Sequence, residues 1–413
     1  MTAQAKLADL PSTPAAAAAR SGRPVVLQVL PSLDTGGVER GTVDIAAAVV
    51  KSGGTAIVVS SGGLMVRELE RTGATHIAMP VHSKNPLVMW QNVSRLVRLI
   101  EKHDVDIVHA RSRAPAWSAY YAAKRTQRAF VTTFHGTYSH ANIFKRAYNR
   151  IMLRGDRVIA ISHFIADHIR DVYGVEGPQI RVIHRGIDLD LFSPHSVTPE
   201  RLIGLAERWR VTEGMPIVML PGRLTAWKGQ RLLIEALARL GRNDIRCLIV
   251  GSDQGREGYR RSLESLVDRR GLLGVVQVAD HCRDMPAAYM LADVVVSAST
   301  DPEAFGRVAA EAQAMGRPVV ASNHGAARET VLSGQTGILF PPGDAEALAM
   351  ALAEALALKS AAREALAAAA IAHIRDNFSK EKMCAETIAL YAELMAERAQ
   401  RDESQASRAE AAV

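Results

Sequence analysis

Two glutamates, Glu303 and Glu311, lie eight positions apart in the segment DPEAFGRVAAEAQAMGRPVVAS, residues 301–322. A strand gives way to a helix here, and a helix starting near Gly306 would present free backbone N–H groups in its first turn. Carboxylates can hold sugar hydroxyls, and free amides can hold a phosphate. Taken alone, however, this spacing favours a surface helix with ordinary glutamates.

A cationic pair, Arg223 and Lys228, changes that balance. Both lie in PGRLTAWKGQ, residues 221–230, directly after a predicted strand. An arginine can grip one phosphate through its planar fork and a lysine a second as a point charge. Two cations and two carboxylates at strand ends of one sheet predict a site for a ligand with phosphates and hydroxyls.

The elements that must position these residues alternate between strand and helix along most of the chain. Short apolar runs such as PVVLQVLPS and IVMLPG are typical of buried strands, and the alternation predicts parallel sheets covered on both faces. The pattern breaks near 193–213. We therefore expect an α/β protein with two doubly wound, Rossmann-like domains, whose ligand binds in the cleft between them, beyond the carboxyl ends of the strands.

The predicted organisation has six parts. They are a flexible N-terminal arm (1–22), a first Rossmann-like domain (23–195), a linker (196–213), a second Rossmann-like domain (214–380), a C-terminal helix packing back towards the first domain (381–400) and a flexible tail (401–413).

The composition is that of an ordinary soluble protein of 413 residues, with 48% hydrophobic and 23% charged residues. No apolar run is long enough to span a membrane. Three cysteines, Cys247, Cys282 and Cys384, lack metal or redox spacing and suit a reducing compartment. We expect a cytoplasmic protein.

The positive charge is concentrated in one segment. The formal net charge is +7, yet Arg111 to Arg157 carries ten Lys or Arg and one acid, Asp156, so the remainder is close to neutral. Such a run is either a solvated face or a patch that meets an anionic surface or acceptor. The motifs that accompany nucleic-acid binding are missing, so we expect no nucleic-acid partner.

Taken together, the motifs resemble those of retaining glycosyltransferases of family 4, which have the GT-B fold. GRLTAWKG resembles the family's phosphate-binding loop, and EAFGRVAAE matches its pair of glutamates separated by seven residues. Other matching segments follow in the expected order: GGVER, HARS, FHG, AISHF, RVIHRGID, MPAAYMLADVVVSAS and GILFPPGD. The resemblance covers roughly residues 24–395, and it implies that the domain at 23–195 lies on the acceptor side and that the domain at 214–380 binds the nucleotide sugar.

The resemblance implies roles for the donor-side residues. Arg223 and Lys228 would contact the donor diphosphate and Glu303 the hydroxyls of the donor sugar, helped by the amides of Phe305 and Gly306. Glu311 would bind the ribose.

It also implies roles for residues elsewhere. His281, in ADHCRD, would edge the base, and His135 would touch the transferred sugar, although a buried structural histidine is the alternative. On the acceptor and phosphate side we expect Gly36 and Gly37, with His109 and Ser112 as weaker candidates. The catalytic set would be Glu303, His135, Arg223 and Lys228. One departure is Arg185-Gly186, where relatives often carry Asn-Gly before Ile-Asp.

No metal or other cofactor is expected. The two Asp-x-Asp triplets, 104–106 and 188–190, lie at the opening of a strand and in a turn, so neither is interpreted as a metal clamp. The leaving diphosphate would be neutralised by Arg223, Lys228 and helix amides. Retention by front-face attack, in which a departing phosphate oxygen takes the acceptor's proton, follows from the resemblance alone.

Rival functions are weighed against this one. A nicotinamide enzyme is disfavoured because LDTGGVERG, residues 33–41, lacks the G-x-G-x-x-G order. A nucleotide-sugar epimerase of the same fold and a non-catalytic nucleotide-sugar-binding protein stay as alternatives.

The acceptor is the most open question. HANIFKRAYNRIMLRGDR, residues 140–157, mixes apolar and basic side chains that could lie on anionic lipid. A basic surface helix packed in the first domain explains the segment about as well. The hypothesis is peripheral attachment to the inner face of the cytoplasmic membrane. The acceptor would then be a glycan or lipid-linked molecule, such as a lipopolysaccharide core.

Overall fold

The computed structural model describes residues 23–138 and 142–410. The flexible arm expected at 1–22 lies outside the described residues.

Two sheets form the framework, and every pairing described within them is parallel. The first has the order β3-β2-β1-β4-β5-β6-β7 and the second β10-β9-β8-β11-β12-β13. The strands are β1 (Val25–Val29), β2 (Thr55–Ser60), β3 (Thr75–Ala78), β4 (Ile107–Ala110), β5 (Ala129–Phe134), β6 (Arg157–Ala160), β7 (Ile180–Val182), β8 (Ile217–Pro221), β9 (Arg246–Val250), β10 (Val276–Ala279), β11 (Val294–Ser297), β12 (Val319–Ser322) and β13 (Ile338–Phe340). The expected α/β class with two doubly wound sheets is confirmed.

Helices connect the strands. They are α1 (Gly37–Lys51), α2 (Val66–Arg71), α3 (Pro86–His103), α4 (Arg113–Arg125), α5 (Ile143–Asn149), α6 (His163–Tyr173), α7 (Pro199–Trp209), α8 (Gln230–Leu240), α9 (Glu257–Arg269), α10 (Met285–Leu291), α11 (Arg307–Ala314), α12 (Ala327–Thr330), α13 (Ala345–Leu356), α14 (Ser360–Phe378) and α15 (Lys380–Glu410). Short 3-10 helices lie at Arg150–Leu153, Pro194–Ser196 and Ala226–Lys228.

The central strands are buried along their whole length. All five residues of β1 and all five of β8 are buried, as expected for strands covered on both faces. Gln28 is the polar exception in β1, and its amide nitrogen donates to the Thr42 carbonyl at 3.0 Å. That bond satisfies a buried donor that would otherwise be costly.

The described chain forms two compact units. The first comprises residues 23–132, 151–156 and 387–410, and the second 133–138, 142–150 and 157–386. The sequence assigns 157–195 to the first domain, and the sequence-based boundaries stay a prediction.

The predicted linker contains α7, which is tied to the second unit. Leu205 and Trp209 are buried. Arg201 donates from Nε and Nη2 to the Asp284 carboxylate at 2.8 and 2.6 Å, a bidentate geometry that fixes orientation as well as distance.

The last helix, α15, divides between the units. From Thr387 onward it belongs to the first unit, where its buried Tyr391 hydroxyl lies 2.6 Å from Nδ1 of His109. The helix continues to Glu410, so it covers residues 401–410 of the expected tail. The flexibility of that tail stays a prediction.

Glu329 holds the start of α6 in the second unit. Its carboxylate accepts the backbone N–H groups of His163 at 2.8 Å and Phe164 at 2.7 Å, and its Oε2 lies 2.9 Å from Nε2 of His184. Burial alone would raise the pKa of Glu329, but the hydrogen bonds from His184, Phe164 and His163 outweigh it and lower the pKa. The ionised form is therefore the one that stabilises this junction.

We expect Glu329→Gln to destabilise the protein near neutral pH by about 1–3 kcal/mol, because charge-assisted hydrogen bonds are lost. A lowered folded-state pKa gives stability that is present above the unfolded value and lost as pH falls through the folded value. The deficit should therefore shrink from about pH 7 to about pH 4, as measured by melting temperature. Glu354→Gln, at an exposed position on α13, is the control. Equal deficits at both pH values would contradict this assignment.

Candidate functional site

The loop after β8 carries the predicted phosphate-binding cations. Leu224 is buried and anchors the loop, and its N–H donates to the Ser252 carbonyl at 3.0 Å. The Arg223 carbonyl accepts from the buried Gln230 amide at 2.9 Å. With its backbone fixed in this way, Arg223 presents an exposed side chain at the carboxyl end of the strand.

Gly229 brings this loop against the loop that follows β11. Its φ is +77°, and a Cβ here would collide with the Ala298 carbonyl. Only glycine satisfies both constraints. The close approach is reinforced nearby, where the Thr300 N–H donates to the Trp227 carbonyl at 2.7 Å.

The two loops meet in an ion pair. Lys228 Nζ donates to Glu303 Oε1 at 2.6 Å, and the Ser299 hydroxyl donates to the same oxygen at 2.5 Å. The Lys228 and Glu303 side chains are only 13% and 16% exposed. The ammonium also lies 4.4 Å from the centre of the Trp227 ring. The sequence placed these two residues in one site, and the structure brings them into direct contact.

The backbone of Glu303 is held as firmly as its side chain. Its carbonyl accepts the Ala326 N–H at 2.9 Å. Gly325 makes this approach possible, because its φ is +58° and a Cβ would lie 2.6 Å from the Glu303 carbonyl oxygen. The next carbonyl, that of Ala304, accepts from the Ser162 hydroxyl at 2.7 Å.

Glu311 is held by two side chains in a buried setting. Arg307, one turn earlier on α11, donates to Oε1 at 2.9 and 2.6 Å, and the Tyr289 hydroxyl donates to Oε2 at 2.9 Å. Burial, together with the Glu311 charge and hydrogen bond, raises the pKa of Tyr289 well above its usual range. Tyr289 therefore stays a neutral donor, and the Glu311 carboxylate is fixed in one orientation.

Helix α11 begins at Arg307 with Gly306 as its N-cap, at the position where the sequence predicts a helix start. Phe305 is 3% exposed and packs edge-on against Phe378 at 5.8 Å between ring centres. The first-turn amides of such a helix have no partner within it and carry the positive end of its dipole. These amides can therefore donate hydrogen bonds to an anion.

His135 is paired with the residue at which the sequence departs from the family pattern. Arg185 Nη2 lies 3.0 Å from His135 Nδ1. A guanidinium can only donate, so a hydrogen bond here requires Nδ1 to accept, and a neutral ring would then carry its proton on Nε2. Sequence analysis assigned no role to Arg185, and the structure places its guanidinium within hydrogen-bonding distance of the predicted histidine.

His281 and the first-unit candidates lie in varied settings. His281 is exposed just after β10. Gly36 caps α1 with an extended backbone that any residue can adopt, and Gly37 is the first residue of that helix. Ser112 is the half-buried N-cap of α4.

His109 has no exposed surface. Burial, and next the nearby Arg111, lower its pKa well below the usual range, so the ring is neutral. A direct contact with an acceptor would require this ring to become accessible.

Both Asp-x-Asp triplets have structural partners. Asp104 pairs with Arg128 at 2.9 Å, and Asp106 accepts the Val25 N–H at 2.9 Å. Asp188 pairs with Lys380 at 2.7 Å and accepts backbone N–H groups from its own turn. Asp104, Asp106 and Asp188 therefore each have a hydrogen-bond or ion-pair partner within the protein.

Among the described residues, a possible metal-ligating set is formed by His163, His184 and Glu329, whose candidate ligand atoms lie within 4.8 Å of one another. The Glu329 oxygens already accept the hydrogen bonds that hold α6. The cluster is thus explained as a structural junction.

Sequence reasoning missed four residues that support the site, namely Ser299, Tyr289, Arg307 and Arg185. Only Arg307 carried a readable signal, because its position four residues before Glu311 favours an ion pair on one helix face. Ser299 lies four residues before Glu303 in a loop, where this spacing carries no signal, whereas Tyr289 and Arg185 lie 22 and 50 residues from their partners.

Comparisons with known proteins identify the family. A model described as Glycosyltransferase Family 4 matches residues 35–191, and one described as Glycosyl transferases group 1 matches 206–373. A GDP-mannose-dependent alpha-(1-6)-phosphatidylinositol monomannoside mannosyltransferase of Mycolicibacterium smegmatis is 31% identical over 286 residues, spanning 64% of this chain and 70% of that protein.

Solved structures extend the likeness over most of the chain. A glycosyltransferase from Rickettsia africae is 39% identical with a TM-score of 0.85, covering 90% of this chain and 99% of that one. Anabaena HepE in complex with UDP and glucose is 25% identical with a TM-score of 0.77, covering 89% and 100%. This chain therefore belongs to the family 4 glycosyltransferases and shares their GT-B architecture of two Rossmann-like sheets.

Proposed function

We propose that this enzyme transfers a hexose from a UDP- or GDP-sugar, with retention and without a metal ion, to a cell-envelope acceptor. The observation that carries the proposal is the contact of Lys228 with Glu303 beside the exposed Arg223. Cations for phosphates and an ordered carboxylate for hydroxyls then share one edge of the second sheet. The ligands named for similar proteins, UDP with glucose and GDP-mannose, support this class of donor.

The donor diphosphate would lie between the loop after β8 and the start of α11. Lys228 uses one of its three N–H donors on Glu303, so the same ammonium can also donate to a phosphate oxygen. Arg223 would supply a bidentate contact and the first-turn amides of α11 further neutralisation, while the amides of Phe305 and Gly306 would help Glu303 to hold the donor sugar. These groups stabilise the charge that develops on the leaving diphosphate.

The two carboxylates would bind the donor sugar and the nucleoside. Glu303 would accept hydroxyls of the sugar through Oε2, while Oε1 keeps Lys228 and Ser299. Glu311 would bind the ribose, and His281 would edge the base. Because both carboxylates are ordered before a ligand arrives, little conformational entropy would be lost on binding.

Retention would follow from attack on the face from which the diphosphate leaves. The bond from the anomeric carbon to the phosphate oxygen breaks, the acceptor oxygen bonds to the same face, and the departing oxygen takes the acceptor's proton. His135, with its proton on Nε2, would donate to the transferred sugar.

The acceptor is proposed to be a lipopolysaccharide core or another lipid-linked glycan of the cell envelope. Gly36, Gly37, Ser112 and, less directly, His109 are the acceptor-side candidates. The relative from M. smegmatis is named for a phosphatidylinositol acceptor, which supports a lipid-linked substrate as a class.

Peripheral binding to the cytoplasmic face of an anionic membrane would bring the enzyme to such a substrate. Ile143 and Phe144 on α5 are 76% and 82% exposed and stand beside exposed Lys145 and Arg146, a combination typical of interfacial helices. No helix within 23–138 and 142–410 combines the length and apolarity needed to cross a membrane.

One variant should mainly weaken donor binding, and a second should mainly lower turnover. Wild type should be stabilised against heat by one nucleotide sugar in a panel that includes UDP-glucose and GDP-mannose. Glu311→Gln should weaken that donor's binding about 10–100-fold, the effect of losing a charge-assisted hydrogen bond. Glu303→Gln should keep most of the thermal shift but lower kcat by about 10²–10³-fold.

The matched control is Glu257→Gln, at an exposed position on α9. Transfer measured with and without an acceptor extract separates the alternatives, since an epimerase needs no acceptor and a binding protein turns nothing over. Full activity in both site variants would reject the assignment.

The tautomer role of Arg185 predicts a graded series. Arg185→Gln can still donate to His135 Nδ1 and should keep most of the activity. Arg185→Leu should lower kcat about tenfold, the size of one lost hydrogen bond, with little change in donor affinity. Nitrogen NMR of His135 should show an accepting Nδ1 in wild type and in Arg185→Gln, and a mixture of tautomers in Arg185→Leu. A single unchanged tautomer in all three proteins would refute the role.

Membrane binding should depend on α5. Changing Phe144 to Ser and both Lys145 and Arg146 to Gln should lower co-sedimentation with phosphatidylglycerol vesicles at least about fivefold, because apolar burial and charge attraction are both removed. The control changes Leu64, which is 80% exposed, to Ser and both Lys51 and Arg125 to Gln, with the same charge change. Equal sedimentation of the two variants would exclude α5 as the contact.

A further inference from the structure

A pocket in the first unit has no role in the proposed reaction. Its volume is about 430 Å³, and it lies between the end of α4, the start of β5 and α15. Arg128 precedes β5, and Arg154 lies three residues before β6. The pocket therefore opens at the amino ends of the strands. Ligands of doubly wound sheets bind at the carboxyl ends, where Gly36, Gly37 and Ser112 follow their strands, so this is a separate place in the fold.

Five cationic side chains line the pocket, and only two carboxylates face them. The cations are Lys124, Arg128, Arg154, Arg398 and Arg401, and the carboxylates are Asp156 and Asp402. Of these carboxylates, Asp402 reaches Arg398 only at 3.8 Å. The residues that line the pocket therefore carry three more positive than negative charges, while Asp104 pairs with Arg128 at 2.9 Å and Glu397 lies 3.7 Å from Arg401.

Two of these cations, Arg128 and Arg398, lie close together and are partly buried. Arg128 donates to Asp104 at 2.9 Å, yet its Nε is buried with no hydrogen-bond partner among the described residues. Burial and the nearby Arg128 charge lower the pKa of Arg398. Both guanidinium groups stay charged, so an anion in the pocket would relieve their repulsion and supply an acceptor.

The wall of the pocket is partly aromatic. Tyr120 and Phe130 line it with their ring centres 5.6 Å apart, and Leu394 lies beside them. Such a surface can bury a ring or an acyl segment, which a site for a bare inorganic ion does not need. Cations together with an apolar wall fit an amphipathic anion.

We propose that this pocket binds a phosphate-bearing small organic molecule, with its phosphate on the arginines and its ring or apolar part against Tyr120 and Phe130. Arginine forks match phosphate oxygens in geometry as well as in charge. The ligand could be a free phosphorylated compound or the headgroup of a phospholipid, which share this chemistry. Three members of the basic segment noted in the sequence, Lys124, Arg128 and Arg154, thereby acquire a specific use.

Calorimetric titration of the full chain with phenyl phosphate tests the proposal. The pocket variant carries Lys124→Gln, Arg398→Gln and Arg401→Gln. The control variant carries Lys51→Gln, Lys102→Gln and Arg125→Gln, three exposed cations of the same unit with the same charge change. Wild type and control should bind with equal affinity, and the pocket variant at least about tenfold more weakly. Higher salt should weaken binding to the wild type.

The source of the phosphate is distinguished in a second arm. The wild type with bound phenyl phosphate is mixed with vesicles of phosphatidylcholine and phosphatidylglycerol, and vesicles of phosphatidylcholine alone are the control. Displacement of phenyl phosphate by the phosphatidylglycerol vesicles assigns the pocket to a lipid headgroup. Retention of phenyl phosphate assigns the pocket to a soluble ligand. Circular dichroism and melting temperature without ligand confirm that each variant is folded, and the exposed Arg401→Gln alone should show a smaller loss in the same direction. Equal binding by pocket and control variants, or none by the wild type at low salt, overturns the proposal.

Discussion

The contact between Lys228 and Glu303 is the constraint around which the second unit's site is arranged. It requires the loops after β8 and β11 to come within hydrogen-bonding distance, and Gly229 makes that approach possible because it has no Cβ to meet the Ala298 carbonyl. The pair is largely shielded from solvent. Removing one partner would leave an uncompensated charge, which is far more costly than losing an exposed pair. The positions of Lys228 and Glu303, the balance of their charges and the backbone conformation at Gly229 therefore depend on one another.

The same principle governs the other carboxylates of this unit. Glu311 is satisfied by Arg307 and Tyr289, and Glu329 by His184 and two backbone N–H groups. Each buried acid thus has donors from elements that are distant in sequence or one helical turn away. A ligand that approaches Glu303 or Glu311 meets an acceptor already oriented. Charged groups at fixed positions stabilise a transition state without a cost of reorganisation during the reaction.

The sequence predicted the parts of this arrangement that depend on local pattern. Alternating strand and helix periods gave the two parallel sheets, and the Phe-Gly step before an amphipathic segment gave the start of α11. Ser299 escaped prediction because its hydroxyl reaches Glu303, four residues later, only through the conformation of the loop that they share, and Tyr289 escaped because it lies 22 residues before Glu311. Arg185 escaped because its partner, His135, lies 50 residues away, and a family pattern with asparagine at that position gives no hint of a guanidinium–imidazole bond.

The basic segment at residues 111–157 shows why the net charge of a segment does not reveal where its charges lie in the fold. Between Arg111 and Arg157 the chain passes through α4, β5 and α5, so neighbouring cations are carried to different surfaces. Lys145 and Arg146 lie exposed beside Phe144, whereas Lys124, Arg128 and Arg154 meet Arg398 and Arg401 of α15 around one pocket. The run of +9 along the chain is therefore divided in space, with two of its cations on an exposed helix and three lining a pocket. An exposed face tolerates loss of any one charge, because water screens each of them. Arg128 and Arg398 are half-buried, so their charges interact in a medium of lower dielectric than the charges of an exposed face.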